Sequence, residues 1–269
     1  MRGSSRAAAA AGQTAYEQVV GSMDAADLAE QLFAANAAIE GNATLRRALT
    51  DPSREGEAKS ELARRLFGGK VSDQAVHVLA ALAGQRWAQE RDLSDTLESF
   101  GVMALSESAD RAGRLEDVEN QLFRFERLVD ATPDLRDALT NRQGDPAGKA
   151  ALVERLLQDK AAPETVRLAK QAVGKRSDRR LDAILDGFLD QIAERRGRLT
   201  ALVTSAAELD EAERHRLADA LGRMYGRPVQ VQNVLDPAIV GGLRVQIGDE
   251  VIDGTVSSKI EAARRHFGG

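Results

Sequence analysis

A sixty-residue stretch of this chain occurs twice. At an offset of 90 residues, Asp27–Arg86 and Asp117–Arg176 agree at seventeen of sixty positions without a gap. A composition of this kind gives about five or six matches by chance, so the stretch is read as a duplication. Gln31-Leu32-Phe33 falls on Gln121-Leu122-Phe123, Leu45–Thr50 on Leu135–Thr140, and Lys59–Leu66 on Lys149–Leu156. Lys70, Val76, Gly84 and Arg86 fall on Lys160, Val166, Gly174 and Arg176. After a slip of two residues, Arg91–Phe100 continues against Arg179–Phe188.

Both copies carry the same punctuation. A long helix (Asp24–Ile39; Leu115–Val129) is followed by a short one bearing the Leu-Arg-x-Ala-Leu-Thr run, then by a loop with Pro52 or Pro146. The next helix starts near Glu55 or Ala147, and in the first copy Gly68-Gly69-Lys70 closes it. Another helix (Asp73–Gln85; Pro163–Gly174) and a final long one complete the unit. Val76, Leu79, Ala80, Ala83 and Trp87 recur at three and four, which makes one apolar stripe. Short connections and one-sided stripes predict antiparallel bundles. Two copies of this length are too few for a solenoid. The chain is 43% hydrophobic but only 4% aromatic, which suits closely packed helices around thin cores.

From Leu199 the period shortens to two. Leu199–Ala206 and Val229–Val234 alternate, as does Gly242–Gly248, and Gly248-Asp249 is a tight turn into Glu250–Ile252. Between the first two strands, Asp210 and Glu213 form a capping-box start for a helix that runs to about Tyr225. Asp253-Gly254 ends the last strand and Thr255 is placed to cap a final helix, Val256–His266. The expected fold is mainly α: two repeated antiparallel helical bundles (1–113 and 114–198) followed by a small α/β C-terminal domain of βαβββα order (199–269).

Little in this sequence supplies chemistry. A net charge of −5 leaves no basic footprint for nucleic acid, and with no cysteine there is no thiolate and no disulfide. No apolar run reaches the roughly 18–20 residues that a membrane span needs. The alanine run Ala7–Ala11 is too short and too weakly apolar for a signal sequence, so Met1–Val20 reads as an amphipathic helix with Ser4 or Ser5 near its start, in a cytoplasmic protein. His77, His215 and His266 stand in separate helices and read as surface or interface residues. Gly68-Gly69-Lys70 lacks the upstream glycine and the trailing Ser or Thr of a phosphate loop. Gly241-Gly242 leads into a strand rather than a helix and reads as a site of close backbone packing. Asp253 and Thr255 have no activating His, Lys or metal cluster nearby, so a turn and cap accounts for them better than a nucleophile. The mixed charges of Lys175–Arg198 read as a solvated helix with a partner-facing seam. No metal or cofactor site is expected.

The C-terminal residues carry a resemblance. Asp236, Pro237, Gly241, Gly242, Val245, Ile247, Gly248, Asp249, Val251, Ile252, Asp253, Gly254, Thr255 and Val256 form a run that resembles the signature of the delta subunit of F-type ATP synthases. The mitochondrial relative of that subunit is the oligomycin-sensitivity-conferring protein. Thr200–Glu213 resembles the family's entry into its C-terminal domain, and the likeness covers most of Leu115–Phe267. The resemblance implies a non-catalytic peripheral-stalk subunit at the cytoplasmic face of the cell membrane, without direct membrane insertion or nucleic-acid partner. Its helical bundle is expected to hold the N-terminal helix of a catalytic-head alpha subunit, and its C-terminal domain to meet a b-type stalk subunit.

Family members commonly have one bundle, and this chain has about 90 residues more, the length of the repeat. By family analogy the alpha-helix groove lies between a bundle's first and fifth helices. Here that selects Ala11, Ala15, Tyr16 and Val19 against Val76, Leu79, Ala80 and Ala83. The second copy offers Val166, Ala169, Lys170 and Val173; Lys170 in place of Ala80 makes it less apolar and tilts the choice to the first. Of the C-terminal signature, Asp236, Pro237, Gly241, Gly242, Gly248, Asp253, Gly254 and Thr255 are expected to shape the stalk-facing domain. The rival readings are a helical adaptor for an unrelated amphipathic helix and an enzyme using Asp253 or Thr255.

Overall fold

The computed structural model describes residues 3–141, 143–174, 180–195, 197, 199–248 and 250–255. Among them are twelve helices and four strands, in the order expected: mainly α with a small α/β end. The chain separates into two compact units, Met1–Ile192 and Ala193–Gly269.

The first unit holds α1 (Gly3–Val20), α2 (Ala25–Gly41), α3 (Ala43–Thr50), α4 (Gly56–Phe67), α5 (Asp73–Ala83) and α6 (Glu90–Arg111), then α7 (Leu115–Ala131), α8 (Pro133–Thr140), α9 (Pro146–Leu157), α10 (Pro163–Gly174) and all but the last turn of α11 (Leu181–Arg195). Local chemistry sets their ends. Asp24 caps α2 by accepting from the Asp27 amide at 3.0 Å, and Asn42 caps α3 through the amides of Thr44 and Leu45. Pro133, Pro146 and Pro163 stand in the first turns of α8, α9 and α10, where a missing N–H leaves no bond unmade.

The duplication is visible bond by bond. Gln31 Oε1 accepts from the Ser72 amide at 2.7 Å, and its counterpart Gln121 Oε1 accepts from the Ala162 amide at 2.7 Å and from Thr165 Oγ1. Thr50 donates back to the Arg46 carbonyl as Thr140 does to that of Arg136. After α4 the backbone turns through Gly69 at φ +72°; 90 residues on, Asp159 makes the same turn at φ +60°.

The sequence divided the helices into two domains at residue 113, but both copies belong to the first unit and share one core. The sharing runs through α6, which closes the first copy and opens the second. Counting back 90 residues places α6 on α1. Glu98, Val102, Leu105, Ser106 and Ala109 are buried, and so are their counterparts Ala8, Gly12, Ala15, Tyr16 and Val19. Yet α6 also buries Leu97, Phe100, Gly101 and Ala104, whose counterparts Ala7, Ala10, Ala11 and Thr14 are exposed on α1. One helix therefore serves two bundles, with a face for each. In α11, Leu181, Ile184, Leu185, Phe188, Leu189 and Ile192 are buried in this core; the seam expected to face a partner faces the chain itself.

The second unit is a four-stranded sheet with one described helix: β1 (Leu199–Ser205), α12 (Glu211–Tyr225), β2 (Val229–Leu235), β3 (Leu243–Ile247) and β4 (Glu250–Asp253). The order across the sheet is β2-β1-β3-β4, with β1 parallel to β2 and antiparallel to β3. The capping box at α12 forms as read: Glu213 N donates to Asp210 Oδ1 at 2.7 Å and Asp210 N to Glu213 Oε2 at 3.0 Å. Ala201, Val203, Val229, Val245 and Ile247 make one apolar sheet face and pack with Leu221 of α12. The expected helix Val256–His266, together with Asp249, lies outside the described residues.

Candidate partner-docking site

Helices α1 and α5 pack directly on each other, and Gly12 permits the approach. A Cβ at Gly12 would stand 2.2 Å from Leu82 Cδ2 and 3.1 Å from Phe100 Cε2. The start of α1 is pinned as well: the buried Ser5 donates to Asp92 Oδ2 at 2.6 Å and accepts from the Ala88 amide at 2.8 Å. Its end is held by Arg111 of α6, which donates to the Val20 carbonyl at 2.8 Å.

This close seam decides where the eight expected groove residues go. Ala15, Tyr16 and Val19 of α1 and Leu79, Ala80 and Ala83 of α5 are buried in the chain's own core; Val76 is half-buried and Ala11 is exposed. The structure thus brings the two sets together, but against each other. The outer face of the same helix pair is made instead by Ala7, Ala11, Thr14 and Gln18 with His77, all exposed. His77 Nε2 meets Gln18 Oε1 at 3.1 Å across the seam. These residues recur at four, three and four along α1, a small and polar stripe that an apolar-periodicity reading passes over. In the second copy Ala169 and Val173 are buried, Val166 is half-buried, and Lys170 reaches Glu154 at its side.

Beside α1, a shallow cleft of about 320 Å³ against α6 is lined by Ala9, Ala10, Gln13, Thr96, Ser99, Phe100 and Met103. Its walls offer hydroxyls and an amide with no acid or base among them. Among the described residues no three His, Asp or Glu side chains converge as a metal site would require.

In the second unit the signature residues build turns. The Asp236 amide donates to the Ser205 carbonyl at 2.9 Å, its Oδ1 accepts from the Ala238 amide at 2.9 Å, and its carbonyl accepts from Ile239, with Pro237 exposed between them. Gly241 precedes Gly242, which takes φ +82°. A Cβ at Gly242 would stand 2.5 Å from the Gly254 carbonyl oxygen and 2.9 Å from Thr255 Cα. The glycine pair is therefore the place where one backbone passes over another, and the Gly254 amide closes the contact on the Leu243 carbonyl at 2.9 Å. Gly248, at φ +57°, follows β3. Asp253 Oδ1 accepts both the Thr255 amide at 3.0 Å and the Thr255 hydroxyl at 2.7 Å. Those two bonds, helped by Arg244, hold the Asp253 carboxyl below its usual range. The Thr255 hydroxyl, in a residue 5% exposed, donates into a turn and is not aimed at solvent.

One group in the first unit is electrostatically uncomfortable. Glu126 of α7 is buried, and its Oε2 has no hydrogen-bond partner among the described residues. Burial first, then the charges of Asp186, Asp130 and Asp182, push its pKa up from 4.5 to about 7, with Arg127 opposing. Asp186 is raised too, by burial and then by Asp190, Asp182 and Asp130.

The geometry is that of a helical scaffold with turn-bound carboxylates, and comparison with known proteins gives it a family. The family model of the ATP synthase delta (OSCP) subunit matches residues 102–267. The chain belongs to the ATP synthase delta (OSCP) subunit family. It is similar to ATP synthase subunit delta of Kineococcus radiotolerans, 46% identical over 91% of this chain and 89% of the relative. The corresponding subunit of Streptomyces griseus is 41% identical over the full length of both chains, and that of Nocardia farcinica 43% over 90% of each. Since these relatives align end to end or nearly so, the extra helical copy is theirs as well. The delta-family match begins at residue 102, inside α6, and so takes in the second copy and the sheet unit while leaving α1 to α5 outside. As a delta-family member the chain is a component of an ATP synthase complex. None of its described helices is long and apolar enough to cross a membrane.

Proposed function

We propose that this chain is a peripheral-stalk subunit of a proton-translocating ATP synthase. It ties the catalytic head, through the N-terminal helix of an alpha subunit, to a b-type stalk subunit at the cytoplasmic face of the membrane, and so keeps the head from turning with the rotor. The observation that carries this reading is likeness to ATP synthase delta subunits along the whole chain, from the added helices to the last strand.

The physical character of the molecule supports it. Resisting torque calls for stiffness and distributed contact rather than an activated side chain. A core shared by two helical copies, with α6 buried on both faces, gives a single stiff body and not two bundles on a hinge. The Thr255 hydroxyl and Asp253 carboxylate are engaged with each other, which speaks against the enzyme reading. In the second unit, Leu235, Val240 and Val251 are more than half exposed, apolar surface available to a stalk partner.

The test is reconstitution. Membranes of the source organism stripped of this subunit are expected to leak protons and to lose heads. Adding back the purified chain is expected to restore head attachment and ATP-driven proton pumping, with no ATP hydrolysis by the chain alone. Restored hydrolysis without restored pumping would contradict a stator role.

A further inference from the structure

The two copies have diverged at one buried place. Asn36 of α2 and Glu126 of α7 correspond across the repeat, and both are buried. Each leaves a side-chain oxygen, Asn36 Oδ1 and Glu126 Oε2, without a hydrogen-bond partner among the described residues. The asparagine is neutral at every pH, and the glutamate is not. The long helices that close the two copies have diverged in the same sense. With the slip of two residues, Ser94, Glu98 and Val102 of α6 correspond to Asp182, Asp186 and Asp190 of α11. The three aspartates recur at four and make one carboxylate stripe along their helix. Asp186 and Asp182 act on Glu126 from that stripe, and Asp130 acts from its own helix. The basic side chains are turned to aspartates, Arg127 to Asp130 at 3.4 Å and Arg180 to Asp182.

The charged groups of the other helices packed on α7 are engaged elsewhere or stand at the surface. From α10, Glu164 meets Arg114, Arg167 meets Glu30 and Lys170 meets Glu154. From α6, Glu98 accepts from Gln171, Glu107 pairs with Arg111, and Asp110 is exposed. On α8, Asp134, Arg136 and Asp137 are exposed. A cation does not fit either, since among the described residues no three acidic side chains converge as a metal site requires. A carboxylate buried among like charges is costly, and taking up a proton relieves it. We propose that a proton held at Glu126 latches α11 onto the first unit, and that its loss to water frees this helix while α2 stays packed. The neutral acid meets Asp186 and Asp182 without repulsion, and the carboxylate is pushed by both. Acid therefore closes the latch and alkali opens it. Because α11 is the last helix before β1, the latch acts on the segment from which the sheet unit continues. The inference does not depend on the stator reading.

The experiment follows amide exchange in the full chain by mass spectrometry across a series of pH values, corrected for the intrinsic rate at each. Protection of α11 is expected to fall by up to about tenfold per pH unit from about pH 5 to about pH 7 and then to level off, because the freed helix leaves Glu126 with an ordinary carboxyl pKa. Peptides of α2, where Asn36 stands, are expected to keep their protection over the same range. Glu126→Gln, neutral and of the same shape, is expected to flatten most of the fall in α11. Asp186→Asn, a change at an exposed position, is expected to shrink the fall and to end it at lower pH, and it carries the test if the first variant does not fold. Constant protection of α11 across the series, an equal fall in α2, or an unaltered fall in the variants would overturn the inference. None of these results bears on head binding, so the stator reading is tested separately.

Discussion

At residue scale the molecule records its duplication in a single dihedral. Gly69 and Asp159 make the same left-handed turn, but only glycine does so without a side-chain penalty. Asp159→Gly is therefore expected to stabilise the helical unit by about 0.5–1 kcal/mol, seen as a raised urea midpoint; a lowered midpoint would mean that the aspartate holds the turn by other means. Gly242 is the opposite case. A side chain there meets both a positive φ and a passing backbone, so Gly242→Ala is expected to cost the sheet unit about 1–3 kcal/mol, measured by amide exchange in β3 and β4, and to leave α1–α11 protected as before. The glycine pair was legible as a packing site from its position before a strand, but its partner, Gly254 and Thr255, was not, since nothing local says which backbone comes near. Glu126 was not legible at all. In the folded chain it holds its proton more tightly than the unfolded chain does, so its contribution to stability is full below about 4.5 and is lost as pH rises through about 7. Glu126→Gln is expected to remove most of that pH dependence and to raise the melting temperature above pH 7. An unchanged profile would place the titrating group elsewhere.

At element scale the helices follow from sequence with small shifts of their ends, because caps and prolines act within a few residues. α10 runs over Pro163–Gly174 as read, and α2 begins one residue after its Asp24 cap. What escaped was the role of α6. Its apolar positions are dense enough for two faces, but periodicity alone assigns a helix one partner, so the copies were drawn as separate domains. The groove failed to resolve for a related reason. Ala15, Tyr16, Leu79 and Ala83 have the pattern of a docking stripe, and the pattern is the same whether the helix that covers it comes from this chain or from another. Matching contacts in the two copies give a direct check on the repeat. Gln121→Leu removes two bonds, one to the α9–α10 connection at Ala162 and one to Thr165 in the first turn of α10, and is expected to cost about 1–2 kcal/mol, more than Gln31→Leu, which removes one. Equal losses would show that the second bond contributes nothing.

At the scale of the whole molecule, the fold class and the order of helices before sheet were legible, because a hydrophobic period of two first appears at Leu199 and returns in each later strand, with one helical stretch between the first two. The family was legible from the C-terminal run, whose glycines and turn aspartates have specific backbone tasks that the structure displays. Partners are legible only through the family, since surface that awaits a second chain has no periodic mark of its own. The central claim is that this chain is a stator link that grips the head by an alpha-subunit helix. Its most direct test is size-exclusion of the purified chain with delta-depleted catalytic heads from its own organism, with the alpha N-terminal segment intact or trimmed away. The account predicts a one-to-one complex with intact heads that is lost on trimming. Free elution from intact heads would contradict it.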